Sequence, residues 1–450
     1  MSVILWLRRD LRLRDLPALL SAAAEHDDVL ACFVIDPRLE ASTGERRLQF
    51  LCDALRSLRD ELDGRLLVTR GRPEELIPRI AAEFGASSVQ ISAEISPFGH
   101  RRDQRVRAAL GKVPLVATGS AYLVSPQRIT KDDGTPYRVF TPFFKKWQEL
   151  GWRAPACSGP ESVRWIDPAQ CTAIHPCEIP DLGIELHHPA GEAAALNQWQ
   201  EFVADRLDSY AQDRDRPDRN GTSGMSAHLK VGAIHPRTLA ADLDPRHEGA
   251  WAYLRQLAFR DFYAAVLHYW PQSGWQNWNR AFDALEVDTD AAAERLFAAW
   301  KAGETGFPII DAGMRQLLQT GFMPNRVRMI AASFLVKDLH VPWQWGAHWF
   351  LQQLVDADLA NNQHGWQWCA GTGTDASPYY RVFNPTTQGQ KFDPAGDYVR
   401  RWVPELAGTD DVHFARQRNA ERPPGYPHPI VDHAQERIES LRRYHNISQG

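Results

Sequence analysis

Apolar residues follow two regimes along the chain. Up to about residue 122 they come in short unbroken runs, Val3–Leu7, Val29–Ile35, Arg65–Gly71 and Ser88–Ser92. Between the runs lie amphipathic stretches of helical length, such as Arg46–Leu62 and Pro73–Phe84. Short runs of this kind alternating with helices predict a parallel sheet flanked by helices. The first part therefore reads as a doubly wound α/β domain, residues 1–125. Over 126–195 periodicity fades and Pro, Gly and Cys accumulate, which predicts a long surface connector. Beyond it the apolar residues recur every three or four positions in Ala250–Leu267, Ala291–Trp300, Asp311–Leu318, Val327–Leu339 and Trp345–Leu354. A mostly α domain over 196–450 follows.

Length agrees with two domains, since 450 residues exceed what one hydrophobic core usually serves. With 44% hydrophobic and 24% charged residues, the chain has the balance of a globular protein and not of a disordered one. Its start, MSVILWLRRDLRLRD, places a very short apolar run before its charges, the reverse of a secretory signal. No apolar stretch is long enough to cross a bilayer, and a cytoplasmic location is expected. The six cysteines are dispersed and form no C-x-x-C pair, so reduced thiols are expected and no metal site. Cys171, His175, Cys177, His187 and His188 lie close in sequence, but their spacing matches no metal motif. A net charge of −5 excludes a uniformly basic coat while leaving room for a local basic face. The 16 tryptophans, most of them in the second half, suit either a helical core or stacking on flat ligands.

Four stretches of the second half carry unusual combinations. In Tyr210–Gly232 a charged loop runs into Gly-Thr-Ser ahead of a helix. Either Thr222 or Ser223 caps that helix, or its exposed N–H groups hold a phosphate. In Leu254–Tyr263, helical spacing brings Gln256, Phe259, Arg260 and Tyr263 to one face. That face lines a pocket, or it belongs to a half-buried helix with Arg260 reaching for solvent. The third stretch is Met323–Leu339. The fourth, Leu354–Phe392, packs Asp356, Asp358, Asn361, Asn362, Trp366 and Trp368 ahead of a Gly-Thr-Gly-Thr-Asp loop and Tyr379, Tyr380 and Arg381. This density reads as a ligand cavity with an aromatic rim. With Arg326, Arg381, Lys391, Arg400 and Arg401 nearby in sequence, base stacking beside phosphate contacts is the coherent picture.

At these residues the chain resembles the DNA photolyase/cryptochrome superfamily along essentially its whole length, from WLRRDLRLRDLPAL through GTPYRVFTPFFKKW to QWCAGTGTDASPYYRVFNPTTQGQKFD. It is most like bacterial class I enzymes that repair cyclobutane pyrimidine dimers. The resemblance implies a monomer with an antenna chromophore in the α/β domain and a U-shaped FAD in the helical domain. Its partner is UV-damaged DNA with the dimer flipped out of the duplex. Excited reduced flavin gives one electron to the dimer, the ring opens and the electron returns. By the same resemblance Tyr210, Thr222, Ser223 and Ser226 surround the FAD phosphates, supported by Arg260. Arg328 and Asp356 form a salt-bridged pair beside the isoalloxazine, and Asp358 meets the ribose or flavin edge. Asn362 faces flavin N5, where an amide has no proton to hand over and so favours the reduced anionic flavin. Asn325 and Met329 match cavity residues of dimer enzymes, whereas (6-4) enzymes place His at both. Trp368 packs on the lesion, and Arg326, Arg381 and Lys391 contact phosphates.

The chain departs from the family pattern in three places. Gln256 and Phe259 stand where dimer-specific enzymes carry Glu and Trp, so the polar contact brings no charge and the stacking ring is smaller. Gln at this place also occurs in (6-4) enzymes. Trp366 and Trp343 match the inner and middle members of the tryptophan chain that reduces the flavin, but the outer position falls at Asp288–Asp290, with Trp345, Trp278 or Trp275 as candidate substitutes. The antenna stretch reads EISPFGHRRD, with Phe98 and Gly99 where folate-binding members carry polar groups. It resembles deazaflavin-binding relatives, which implies 8-hydroxy-5-deazaflavin ahead of methenyltetrahydrofolate. The rival functions are a (6-4) photolyase and a cryptochrome-type blue-light receptor. Against the receptor stand Asn362 and the little room left for a signalling tail after the last helical pattern.

Overall fold

In the computed structural model, which describes residues 2–156, 163–172, 174–374, 380–414 and 422–448, the chain contacts group into two compact units. One is Met1–Asp208 with Ser223–Pro271, and the other is Ser209–Thr222 with Gln272–Gly450. Cys157 and Tyr379 lie outside the described residues. The expected helical domain from 196 onward is thus divided by contact, because its first helices pack against helices of the first 150 residues.

In the first unit β1 (Ser2–Leu7), β2 (Asp28–Ile35), β3 (Leu66–Arg70), β4 (Ala86–Ala93) and β5 (Leu115–Ser120) run parallel in the order β3-β2-β1-β4-β5. Leu5 pairs with Ala31 on one side of β1, and Ile4 pairs with Val89 on the other. Every residue of β1 is buried. This explains its unbroken apolar run, since a strand covered on both faces has no polar side to show. The crossovers include α1 (Pro17–Glu25), α2 (Glu45–Glu61), α3 (Pro73–Glu83) and α4 (Pro97–Leu110). Proline opens α1, α3 and α4, where its fixed φ suits the first turn and its missing N–H costs nothing. Strand order reverses between β1 and β4, the place where doubly wound sheets open a crevice.

Two elements were not legible in the apolar pattern. β5 is an edge strand in which only Leu115 is buried and the later residues alternate between half-buried and exposed, so it forms no run. Inside the expected connector lies α5 (Phe140–Leu150), which buries Phe140, Phe143, Phe144 and Trp147 at helical spacing around Pro142. A two-residue strand, Arg164–Trp165, also joins the sheet beside Asp28 and Val29. The unit is completed by α6 (Glu192–Asp205), α7 (Ser226–Val231) and α8 (Glu248–Tyr269).

The second unit is helical: α9 (Ala291–Ala302), α10 (Pro308–Thr320), α11 (Asn325–Lys337), α12 (Trp343–Gln353), α13 (Leu359–Ala370), α14 (Pro385–Phe392) and α15 (His433–Ser448) are its main elements. They enclose a core that includes Trp300, Met314, Phe334, Phe350 and Trp366. Among the described residues, no helix is long and apolar enough to cross a membrane.

The end of α7 fixes how the chain after β1 is held. Gly232 has φ 75°, and a Cβ built there would lie 1.9 Å from the Arg9 carbonyl oxygen. Arg12 Nη1 donates to the Gly232 carbonyl at 3.0 Å, and Leu11 N to that of Val231 at 3.3 Å. Gly232→Ala therefore meets a backbone conformation strained for an L residue and a clash with backbone. A loss of at least roughly 1–3 kcal/mol is expected, read as a lower denaturant midpoint at unchanged slope.

Candidate functional site

The buried polar groups of the second unit converge on α11 and α13. Arg328, on α11, donates through Nη2 to both carboxylate oxygens of Asp356, at 2.9 and 3.2 Å, and through Nε to the Met323 carbonyl. Asp356 is 8% exposed, so this pair sits where an isolated charge is costly. Asp358 is the N-cap of α13 and accepts from Asn361 N and Asn361 Nδ2. One turn on, the side-chain amide of Asn362 donates to the Ala347 carbonyl at 3.0 Å and to Gln363 Oε1 at 2.7 Å. Both its hydrogens are spent, which leaves Oδ1 as the atom able to meet a ligand.

Trp366, another turn along, is buried against α12. Its seat exists because residue 346 has no side chain: a Cβ there would come within 2.1 Å of the Trp366 ring and 2.5 Å of Leu335. On α11, Asn325 and Met329 are four residues apart and touch, Nδ2 to Sδ, at 3.6 Å. Arg326 is ion-paired with Asp215 at 2.6 Å and lies over the Phe392 ring at 4.4 Å, and Lys391 lies over the same ring at 5.2 Å. Trp368 lines a cavity of about 50 Å³ with Ser333, Lys337, Tyr380 and Arg381. In that wall burial pulls the Lys337 ammonium down to about 8, although its Nζ donates to the Arg381 carbonyl and lies 4.4 Å from the Tyr380 ring centre. Trp343 is buried and donates its indole N–H to Asn277. Tyr210 is buried, and burial raises its phenol above its ordinary value.

In the first unit, α7 begins at Ser226 with Met225 as N-cap and no side-chain cap, which corrects the expected cap at Thr222 or Ser223. The Ser223 hydroxyl is instead bonded to that of Tyr253 at 2.8 Å and accepts from Met225 N. Gln256, Phe259, Arg260 and Tyr263 do share a half-buried face of α8. Arg260 turns inward on it, donating to the Ala121 and Leu229 carbonyls and lying over the Tyr122 ring. Phe259 stacks on Phe140 with 3.5 Å between centroids and 6° between planes, so one face of the ring is already covered.

At the β1/β4 reversal a charged cluster lines the end of the sheet. Arg102 bridges Glu94 at 3.0 Å and Asp103 at 2.7 Å, Arg8 meets Asp103 at 3.4 Å, and both guanidinium groups lie over Trp6. Burial works to raise the Glu94 carboxyl, but Arg102, Arg9 and Arg8 outweigh it and hold it at about 2. Gly99 permits this, since a Cβ there would lie 2.3 Å from Glu94 Cδ.

Sequence reasoning passed over Gln363 and Gln367, whose amides donate to the Gly274 and Ser273 carbonyls and fasten α13 to the chain before α9. The available signal was two amides four apart on the inner side of a helix. It also passed over Trp300, fully buried and touching Trp366.

The family described as DNA photolyase matches residues 3–161, and that described as FAD binding domain of DNA photolyase matches residues 253–446. A deoxyribodipyrimidine photo-lyase of Halobacterium salinarum is 38% identical over 98% of both chains. The chain belongs to the DNA photolyase family. Among solved photolyases, a bacterial class III enzyme from Agrobacterium tumefaciens superposes with a TM-score of 0.88 at 34% identity, over 100% of this chain and 98% of the relative. An archaeal photolyase from Sulfolobus tokodaii, described as holding two FAD molecules, superposes at 0.84 with 30% identity over 99% of this chain and 100% of the relative. The helical architecture built around α11 and α13 is thus that of a photolyase FAD-binding domain.

Removing Arg328 strands the Asp356 carboxylate. Because the Arg328 side chain is itself 24% exposed, Arg328→Ala should cost toward the lower end of roughly 3–5 kcal/mol, measured by chemical denaturation. Lys337 makes a signed pH prediction. The folded protein releases this proton near 8, while the unfolded chain keeps it to about the ordinary 10.5, so the parent gains stability as pH rises through that window. The stability of Lys337→Met minus that of the parent should therefore shrink from pH 8 to 10.5; a constant difference contradicts the burial argument.

Proposed function

We propose that this protein is a light-driven DNA repair enzyme that splits cyclobutane pyrimidine dimers, a deoxyribodipyrimidine photo-lyase. The observation that carries the reading is the α11/α13 arrangement: a partly buried Arg328–Asp356 pair, Asn362 with only an acceptor left to offer, and an Asn325–Met329 pair with no imidazole. The donor set suits FAD in its reduced form. When bound, that cofactor supplies the photoexcited one-electron donor, and the protein positions and tunes it. Arg328 and Asp356 would border the ring system, Asp358 would take the ribose or flavin edge, and Tyr210 and Thr222 would hold the phosphates. Asn362 Oδ1 accepts from an N–H, as N5 of a reduced flavin provides, and holds no proton to give away. Ser223, Ser226 and Arg260 carry the phosphate roles that the resemblance implies, although Ser223 and Arg260 also serve the local bonds described above.

At the lesion, Asn325 and Met329 offer an amide and a soft apolar surface but no acid, which favours a dimer whose opening needs an electron and no protein-supplied proton. Gln256 hydrogen-bonds a base edge, while Trp368 and the open face of Phe259 stack. Arg326, Arg381 and Lys391 take backbone phosphates, so affinity should fall steeply with salt. For the antenna, 8-hydroxy-5-deazaflavin is favoured over methenyltetrahydrofolate. Support comes from the PFGHRRD run after β4 and from its place beside the strand-order reversal, where α/β folds hold planar cofactors. The proposed site of action is the cytoplasm, and the proposed working unit is the monomer.

The test is illumination of purified, reduced protein with oligonucleotides that each carry one defined lesion. Restoration of the cyclobutane dimer alone is expected. Restoration of the (6-4) product alone would overturn the reading of Asn325 and Met329, and would promote Gln256 to the deciding residue.

A further inference from the structure

We propose that Trp300 feeds electrons to Trp366 and that Trp345 is the solvent-facing end of this path, an inference that rests on FAD being held beside α13. Trp366 is 3% exposed, and its ring meets two others: Phe350 at 5.0 Å and Trp300 at 6.1 Å between centroids, the latter edge to face at 69°. Trp300 is fully buried and stacks on Phe297 at 5.8 Å and 18°. Phe297 in turn touches Trp345 at 5.4 Å. The rings thus run without a break from α13 through α9 to the half-buried face of α12.

The hydrogen bonds fix each ring's part. The fully buried Trp300 indole N–H donates to the Ala331 carbonyl at 3.1 Å, and an amide carbonyl is too weak a base to take the proton, so an oxidised Trp300 keeps it and remains able to draw the next electron. Phe297 is too hard to oxidise and acts as a bridge. Trp349 stands on the same face of α12 but is a poor terminus. Its Nε1 is buried without a hydrogen-bond partner, so its radical cation has no acceptor to which the indole proton can pass. Half-buried Trp345 is left as the ring that can shed a proton to water.

Beyond Trp343 the outer position expected from the family carries carboxylates and not an indole. The Trp343 indole is held by Asn277 at 2.8 Å, and at the outward position Asp288 is bound by Arg443 at 2.9 Å while Asp290 caps α9. Those carboxylates hold α9 and α15 in place and cannot be oxidised.

In the proposed sequence Trp366 passes one electron to photoexcited oxidised flavin, Trp300 passes one to Trp366, and Trp345 passes one to Trp300 across Phe297. Trp345 then loses its indole proton to water. An external thiol returns one electron and one proton to its neutral radical and is left as a thiyl radical; the flavin has gained one electron, and the two thiyl radicals of two such turnovers join as a disulfide.

The test follows flavin bleaching and tryptophan-radical transient absorption in the oxidised, flavin-loaded protein with dithiothreitol under blue light. Trp300→Phe should lower photoreduction yield severalfold, more than Trp343→Phe does, and Trp345→Phe should remove the long-lived neutral radical signal. Phe297→Trp, which places an oxidisable ring in the gap, should raise the yield above that of the parent, a gain that damage to the fold cannot produce. A larger loss in Trp343→Phe than in Trp300→Phe, or no gain in Phe297→Trp, overturns the relay while leaving the FAD reading intact. A parent protein that retains no flavin absorbance overturns both.

Discussion

The second unit depends on a missing side chain. α12 and α13 approach closely because residue 346 has no Cβ to collide with Trp366 and Leu335. Interiors packed to crystal-like density do not yield to an added methyl, so this contact sets the rotation of α13 about its axis. Rotation decides which residues face inward. With Trp366 seated, Asn362 lies one turn back with its amide on the Ala347 carbonyl of α12, and Asp358 closes the first turn. The polar groups proposed to meet the flavin are therefore oriented by apolar packing on the same helix.

What the sequence revealed and what it concealed divide along a physical line. Fully buried strands announce themselves as unbroken apolar runs, and β1 to β4 were legible to within a few residues. β5 was not, because an edge strand shows alternate residues to solvent. α5 was hidden by Pro142 and by its place in a Pro- and Gly-rich stretch. In the site, pairs at helical spacing, such as Asn325 with Met329, were legible as neighbours. Residues whose partners lie far along the chain were not. Nothing near Phe259 points to Phe140 as its stacking partner, and nothing near Arg326 points to Asp215, 111 positions away. The Arg328–Asp356 pair was reached through family resemblance, and its burial and two-oxygen geometry came only from the fold.

Several groups that the motifs mark for ligands already have internal partners. Ser223 is bonded to Tyr253, Arg260 to two carbonyls, and one face of Phe259 to Phe140. Such bonds hold side chains in one rotamer before a ligand arrives, which lowers the ordering cost of binding. The same holds at the strand-order reversal, where Arg102 bridges Glu94 and Asp103, and Arg8 meets Asp103, beneath Trp6.

Under the phosphate role proposed for Arg326, its pair with Asp215 would bear on how the enzyme patrols a chromosome. A guanidinium that must let go of its own carboxylate before gripping a phosphate gains little from undamaged duplex, because one attraction is exchanged for another. On that proposal, residence on intact DNA would be shortened, and the protein would be freed to sample more sites per second. Only where a distorted lesion adds contacts beyond the backbone does the exchange become worthwhile, so an internal ion pair turns weak general adhesion into a faster hunt for damage.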